Sequence, residues 1–184
     1  MKVAIIEGDG IGHEVIPPAR EAIGIIRPDI EFFDVEAGYG KWQRTGEAIG
    51  DDDITLLRSA DAILFGAVTT PPAPDYRSVI VRIRKELDLY ANVRPVWGAG
   101  FDIIVVRENT EGLYSGIEKI EHESACTLRC ITRKGSERIA RYACSLAKRR
   151  RDITVGHKAN VLKSDVFFRD ICLSEAQKAN IPVR

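Results

Sequence analysis

Two periods of apolar spacing alternate along this chain. Val3–Glu7 is a short apolar run that ends in a glycine turn. From Glu14 to Ile26 the spacing becomes helical, with Val15, Ile16, Ala19, Ala22, Ile23 and Ile26 as the expected buried stripe. Pro17 and Pro18 are read into the first turn of that helix, where proline is tolerated. Arg27-Pro28-Asp29 stops it, and Glu31–Glu36 reads as a second strand. Lys41–Arg44 and Asp51–Ser59 read as short helices, the second entered through acids that suit a helix N-terminus. Ala62–Phe65 is an expected buried strand, and Gly66–Tyr76, with Pro71, Pro72 and Pro74, a loop. Ser78–Leu87 returns to helix and Leu89–Val93 to extended chain. Val96–Gly100 reads as a linker and places a domain boundary, giving 1–95 and 96–184. Beyond it come strands at Asp102–Val106, Cys126–Thr132 and Ile153–Val155. The helix Ser136–Arg149 carries Ile139, Ala140, Ala143, Leu146 and Ala147 on one side. Strands alternating with helices make this an α/β chain.

Composition narrows the classes of function. The 184 residues suffice for one ordinary domain or parts of two, and 45% apolar with 29% charged residues is the balance of a globular protein. Lys and Arg together equal Asp and Glu at 27 each, so no global field favours nucleic acid or an acidic membrane surface. No apolar run approaches the roughly 20 residues of a membrane span, and Glu7 comes too early for a signal peptide, so cytoplasm is the expected location. Cys126, Cys130, Cys144 and Cys172 are expected to be free thiols in or near a core, since Cys126 and Cys130 have no second pair to complete a zinc site. The run Lys148–Arg151 reads as the solvated end of a helix, where cations complement the dipole.

Candidate chemistry lies in four blocks. Gly8, Gly10 and Gly12 run G-x-G-x-G, one residue off the dinucleotide fingerprint, yet still form a glycine turn feeding a helix. Arg84, Arg94 and Arg107 stand among apolar, strand-forming residues. Several planar, permanently charged forks suit a ligand with more than one carboxylate. Tyr114, in V-R-E-N-T-E-G-L-Y, is a candidate proton donor, since an ordinary tyrosine titrates near about 10. Lys158, in H-K-A-N-V-L-K, could act as a base only where neighbouring cations or desolvation lower its basicity.

Taken in order, E-G-D-G-I-G (Glu7–Gly12), R-K-E-L-D-L-Y-A-N-V-R-P (Arg84–Pro95), V-R-E-N-T-E-G-L-Y (Val106–Tyr114) and H-K-A-N-V-L-K (His157–Lys163) closely resemble the β-decarboxylating dehydrogenases of 3-isopropylmalate, homoisocitrate and isocitrate. The resemblance covers nearly the whole chain, at about half the family's usual length. It implies a two-domain α/β fold distinct from the dinucleotide-binding fold. Residues 1–95 would belong to the large domain and 96–184 to the smaller substrate and dimerisation domain. It further implies Tyr114 and Lys158 as the catalytic pair, and Arg84, Arg94 and Arg107 as ligands of substrate carboxylates. Gly10, Ile11, Gly12 and Asn160 would border the nicotinamide end of NAD or NADP. Mg²⁺ or Mn²⁺ would polarise the ketone, and a homodimer would bring the lysine from its second subunit.

Some features depart from the family's pattern. The family's metal-binding aspartates and adenosine loop come after the point corresponding to Arg184, so no metal ligand is assigned here. The isolated chain is accordingly expected to be inactive, as a fragment or a decayed copy. S-D-V-F-F-R-D lacks the glycine common after the lysine block, and Pro95–Asp102 is short. The substrate's side group should be read beside Arg84, where Ile80 and Val81 are aliphatic. Burying an isopropyl group there gains roughly 25 cal/mol per Å². That favours 3-isopropylmalate and leucine biosynthesis. Arg77 and Arg82 keep homoisocitrate open, and Ser78 matches a serine of the isocitrate enzymes. A reading of another class is a non-catalytic partner that pairs with a full-length relative.

Overall fold

Strand β1 (Lys2–Gly8) is apolar without alternation because both of its faces are covered. Successive side chains of a strand point to opposite faces. Ala4 and Ile6 enter the main core with Val35, Ile49, Ile54, Leu57, Val79 and Ile83. Val3 and Ile5 enter a smaller cluster with Ile16. In this computed structural model, which describes residues 1–73, 75–148 and 152–184, β1 is the middle of three parallel strands. It is flanked by β2 (Glu31–Asp34) and β3 (Ala62–Ala67), and Val3 stands opposite both Phe32 and Ala62. Helices α1 (Gly12–Ile26), α2 (Tyr39–Thr45), α3 (Asp51–Arg58) and α4 (Val79–Glu86) complete the unit Met1–Asp88. Val79 and Ile83 anchor α4, each fully buried side chain contributing about 1.5–3 kcal/mol.

Helix α1 corrects the expected stripe. Only Ile16 of the six is fully buried, while Val15 and Ile26 are 47% and 76% exposed. A three-stranded sheet is too narrow to cover so broad an apolar face. The helix also starts at Gly12, which puts Pro17 and Pro18 in its interior rather than its first turn. Neither has an N–H to donate, so one hydrogen bond is lost at each.

The second unit, Leu89–Arg184, is built on a hairpin. β4 (Ala91–Gly98) and β5 (Phe101–Glu108) pair antiparallel along their whole length. The segment expected to be a linker, Val96–Gly100, is therefore the end of β4 and its turn, with Gly100 in the left-handed region at φ +86°. The compact units divide at Asp88/Leu89, seven residues before the boundary drawn from the sequence. Helix α5 (Arg133–Ala147) packs on β5 and on α6 (Lys163–Lys178), a helix that sequence spacing did not reveal. β6 (Glu118–Ile120) and β7 (Ala125–Thr127) form a small exposed hairpin. The strand expected over Cys126–Thr132 is thus shorter, and Cys130 makes a single bridge to Gly112. Ile153 likewise makes one bridge, to Val183. Cys144 and Cys172 are buried, and burial with the neighbouring Cys144 pushes the Cys172 thiol up to about 12. Cys126 is exposed, against expectation. Of the run Lys148–Arg151, residues 149–151 lie outside the described residues. No described helix is long and apolar enough to cross a membrane.

Candidate active site

Each residue of V-R-E-N-T-E-G-L-Y has a separate task. Glu108 accepts from the Thr110 N–H (2.8 Å), the Thr110 hydroxyl (2.6 Å) and the Glu111 N–H (2.7 Å), folding the chain back after β5. The Arg138 guanidinium on α5 pairs with it at 3.0 Å and lies 4.5 Å from the centre of the Tyr90 ring. Asn109, 5% exposed, donates its backbone N–H to Tyr90 (2.8 Å) and accepts from Arg107 at 3.2 Å. Glu111 accepts from the Thr132 N–H at 2.9 Å and from its hydroxyl. Thr132 in turn caps α5 by accepting from Gly135 at 3.0 Å, a bond of the kind worth about 1 kcal/mol. Gly112 supplies a positive φ of 68°, and Tyr114 follows on a single 3₁₀ turn, Leu113–Ser115. Glu108, Asn109, Glu111 and Arg138 were missed as site builders, because nothing in the motif separates a ligand's contacts from those of its scaffold.

The hairpin register brings two of the three predicted arginines together. Asn92 stands opposite Arg107 and Arg94 opposite Val105. Residues directly opposite share a face, so Arg94 and Arg107 lie on the same face as diagonal neighbours, about 7–8 Å apart at the backbone. Both are exposed. The Arg107 guanidinium lies 5.7 Å from the centre of the Tyr114 ring, a cation over an aromatic face. Arg107 and Tyr114 thus stand together, with Arg94 on the same face of the hairpin. A cleft of about 230 Å³ opens beside it, lined by Arg107, Arg129, Ser136 and Gly156 among others.

Lys158 and Asn160 belong to the same unit, on the loop that follows Gly156, and both are exposed. The loop is fastened by Asp165 in the first turn of α6. Asp165 is 3% exposed, pairs with Arg129 and accepts the Lys158 N–H at 2.6 Å. Burial opposes its ionisation, but the Arg129 guanidinium and the Lys158 N–H outweigh it and hold its pKa below the usual 3.8. Sequence gave no sign of this role beyond an acid placed early in an unrecognised helix. His157, to which no role was assigned, accepts from the Ala159 N–H at 3.1 Å.

The remaining predicted residues belong to the first unit. Ser78, the residue before α4, and Ile80, Val81 and Arg84 on it are all half-buried, with Ile80 and Val81 four and three residues before Arg84 and so beside it. Arg82 is engaged elsewhere: it pairs with Glu47 (3.3 Å) and Asp51 and donates to the Ile49 carbonyl. In the glycine loop, a Cβ on Gly12 would sit 2.0 Å from the Glu7 carbonyl oxygen and one on Gly8 1.9 Å from that of Ala67. These two glycines serve the close crossing of β1, α1 and β3. Gly10 (φ +53°) and Ile11, 57% exposed, form the open tip. Asp9 anchors the loop by accepting from the N–H groups of Tyr39 (2.8 Å), Gly40 (2.9 Å) and Thr69 (2.9 Å). Burial would raise its pKa, but those N–H groups prevail and keep it below 3.8. At Gly10 a Cβ would meet nothing within 4 Å, so the tip is open to the approach of a ligand. A divalent metal does not fit the residues present, since no three His, Cys, Asp or Glu side chains among the described residues are grouped to hold one.

The fold places the chain in a class. It superposes on the crystal structure of a β-decarboxylating dehydrogenase from Thermococcus kodakarensis with a TM-score of 0.83 and 46% identity, covering 100% of this chain and 56% of that one. The class is therefore the α/β fold of the isocitrate dehydrogenase type. The family model for isocitrate/isopropylmalate dehydrogenase matches residues 2–183, and the chain belongs to that family. Among curated relatives, the isocitrate/homoisocitrate dehydrogenase of Pyrococcus horikoshii is 48% identical, over 100% of this chain and 54% of its own length. The 3-isopropylmalate dehydrogenase of Archaeoglobus fulgidus is 42% identical, over 96% of this chain and 56% of its own. The chain spans about half the length of the curated relatives it matches.

Proposed function

We propose that this chain carries the carboxylate-binding and proton-transfer half of an NAD(P)-dependent β-decarboxylating dehydrogenase acting on a 2-hydroxy-3-carboxy acid. The observation that carries the reading is the shared face of Arg94 and Arg107 with the Tyr114 ring beside Arg107. Two permanent cations at that spacing suit two carboxylates on adjacent carbons. Arg84 is proposed as a further carboxylate ligand on the family resemblance alone. Lys158 takes the proton of the substrate's 2-hydroxyl, and Tyr114 returns one to the enol carbon left by loss of carbon dioxide. NAD or NADP, when bound, would supply the hydride acceptor, and the exposed Gly10–Ile11 tip is the proposed border of its nicotinamide end.

The substrate we infer is 3-isopropylmalate. Arg82, one of the two cations that could meet a distal carboxylate, is committed to Glu47, Asp51 and Ile49, which leaves aliphatic Ile80 and Val81 next to Arg84. Homoisocitrate is the second reading, favoured by the name of the 48% identical relative. A second copy of the chain is the proposed partner. Leu113, Ile117, Ile120 and Leu128, each more than half exposed, are the apolar surface it would cover. Sedimentation should then show a dimer, and a monomer at all concentrations would remove this part of the reading. Purified alone with Mg²⁺ or Mn²⁺, the 184-residue chain is expected to oxidise none of the candidate acids. Steady cofactor reduction by it would overturn that expectation and leave a complete enzyme in its place.

A further inference from the structure

The loop that presents Lys158 is held through both backbone groups of that residue. The Lys158 carbonyl accepts the N–H groups of Val161 (3.0 Å) and Leu162 (2.9 Å), closing a turn into α6. Its own N–H points the other way and is taken by the Asp165 carboxylate at 2.6 Å. Leu162, the residue before α6, has extended backbone and no side-chain cap. Asp165 stands three positions further on, yet its side chain reaches back past the helix start to Lys158. Its second oxygen meets the Arg129 guanidinium, which also contacts the Ser164 hydroxyl at 3.3 Å. Asp165 is 3% exposed, whereas Lys158 is exposed. A buried carboxylate with these two partners restrains the backbone of an otherwise solvent-facing residue.

From this geometry we infer that Asp165 and Arg129 are the positioning pair of Lys158. They fix its main chain while its side chain stays exposed and outside the clamp. Arg129 also lines the cleft that Arg107 lines. The role in catalysis rests on the proposed function, but the clamp itself does not.

The test uses the 184-residue chain with nitrogen-15 labelling. In the parent, the Lys158 amide should exchange slowly for an exposed loop, and its shift should move with pH as Asp165 protonates. In Asp165→Asn, exchange at Lys158 should accelerate roughly 10- to 100-fold while Ile139 and Ala140 of α5 keep their protection. Arg129→Gln should accelerate it less, because the carboxylate remains. The double variant Asp165→Asn/Arg129→Gln removes the unpaired charge. If the pair were merely a buried ion pair, the double variant would recover the parent's exchange at Lys158; the clamp predicts that it does not. Parent-like exchange at Lys158 in Asp165→Asn would overturn the inference. Should Asp165→Asn fail to fold, Arg129→Lys serves instead: unchanged Lys158 exchange and unchanged pH response in Arg129→Gln relative to Arg129→Lys would count against the pair. A catalytically silent Lys158 would leave all these amide readings as they are, so the two ideas fail separately.

Discussion

Asp9 and Asp165 solve the same problem in the two units. Each is a carboxylate whose hydrogen bonds outweigh the cost of burial and tie a functional loop to the element beside it. Because its folded pKa is lowered, Asp9 contributes stability that is fully present above the ordinary 3.8 and is lost as pH falls below it through the folded value. Asp9→Asn should therefore lower the melting temperature at neutral pH and flatten the acid limb of a plot of melting temperature against pH. An acid limb identical to the parent's would show that Asp9 ionises as freely in the folded chain as in the unfolded one. Neither aspartate was legible beforehand, since an acid in a glycine loop and an acid in a helix's first turn look like solvated residues until their partners are known. Arg84, Arg94, Arg107, Tyr114 and Lys158 were legible only as motif matches, and it took the β4–β5 register to show that two of the arginines share a face.

At the scale of elements, β1, α3, α4 and α5 could be read from apolar spacing because each buries a set of its apolar positions, whereas β3 and β5 read as apolar runs although none of their residues is fully buried. Helix α6 could not, because Val166, Phe167 and Phe168 are consecutive and its apolar residues fall on two faces. Ile171, Cys172 and Ala176 are buried, while Phe167 and Leu173 remain 38% and 39% exposed. The hairpin turn was misread since Gly98 and Gly100 resemble a linker in sequence, whereas only the pairing shows that they reverse the chain. The glycine loop offers a graded test of what its glycines do. Gly12→Ala should cost about 1–3 kcal/mol or more in denaturant unfolding, because its Cβ would strike the Glu7 carbonyl oxygen. Gly10→Ala should cost only about 1–2 kcal/mol, from its positive φ alone. Equal costs would mean that the β1–α1 crossing tolerates a side chain and the close-packing account is wrong. On α4, Val81→Arg in an enzyme completed with a relative's C-terminal half should shift kcat/KM from 3-isopropylmalate towards homoisocitrate. A cation facing an isopropyl group is desolvated without a partner, and facing a distal carboxylate it gains one. A tenfold change or more in the ratio, about 1.4 kcal/mol, is expected. An unmoved ratio would place Val81 away from the substrate.

For the molecule as a whole, the exposed apolar surface is as informative as the core. Ile26 is 76%, Trp97 74% and Ile120 79% exposed, and these residues are spread over both units. β3 pairs only with β1 among the described residues, which leaves its other edge available for pairing. Such surface accords with a chain that spans about half the length of its curated relatives. The proposed function makes Arg94, Arg107, Tyr114 and Lys158 the working groups of a β-decarboxylating dehydrogenase. Its most direct measurement is cofactor reduction by this chain joined to the C-terminal half of the Pyrococcus horikoshii relative, with 3-isopropylmalate, homoisocitrate and isocitrate offered in turn. The account predicts turnover that falls at least about a hundredfold in kcat on Tyr114→Phe or Lys158→Met, the range for losing a general acid or base. It also predicts that Arg107→Gln acts chiefly on KM. Turnover that survives both catalytic substitutions unchanged, or a folded and cofactor-binding chimera that oxidises none of the three acids, would contradict it.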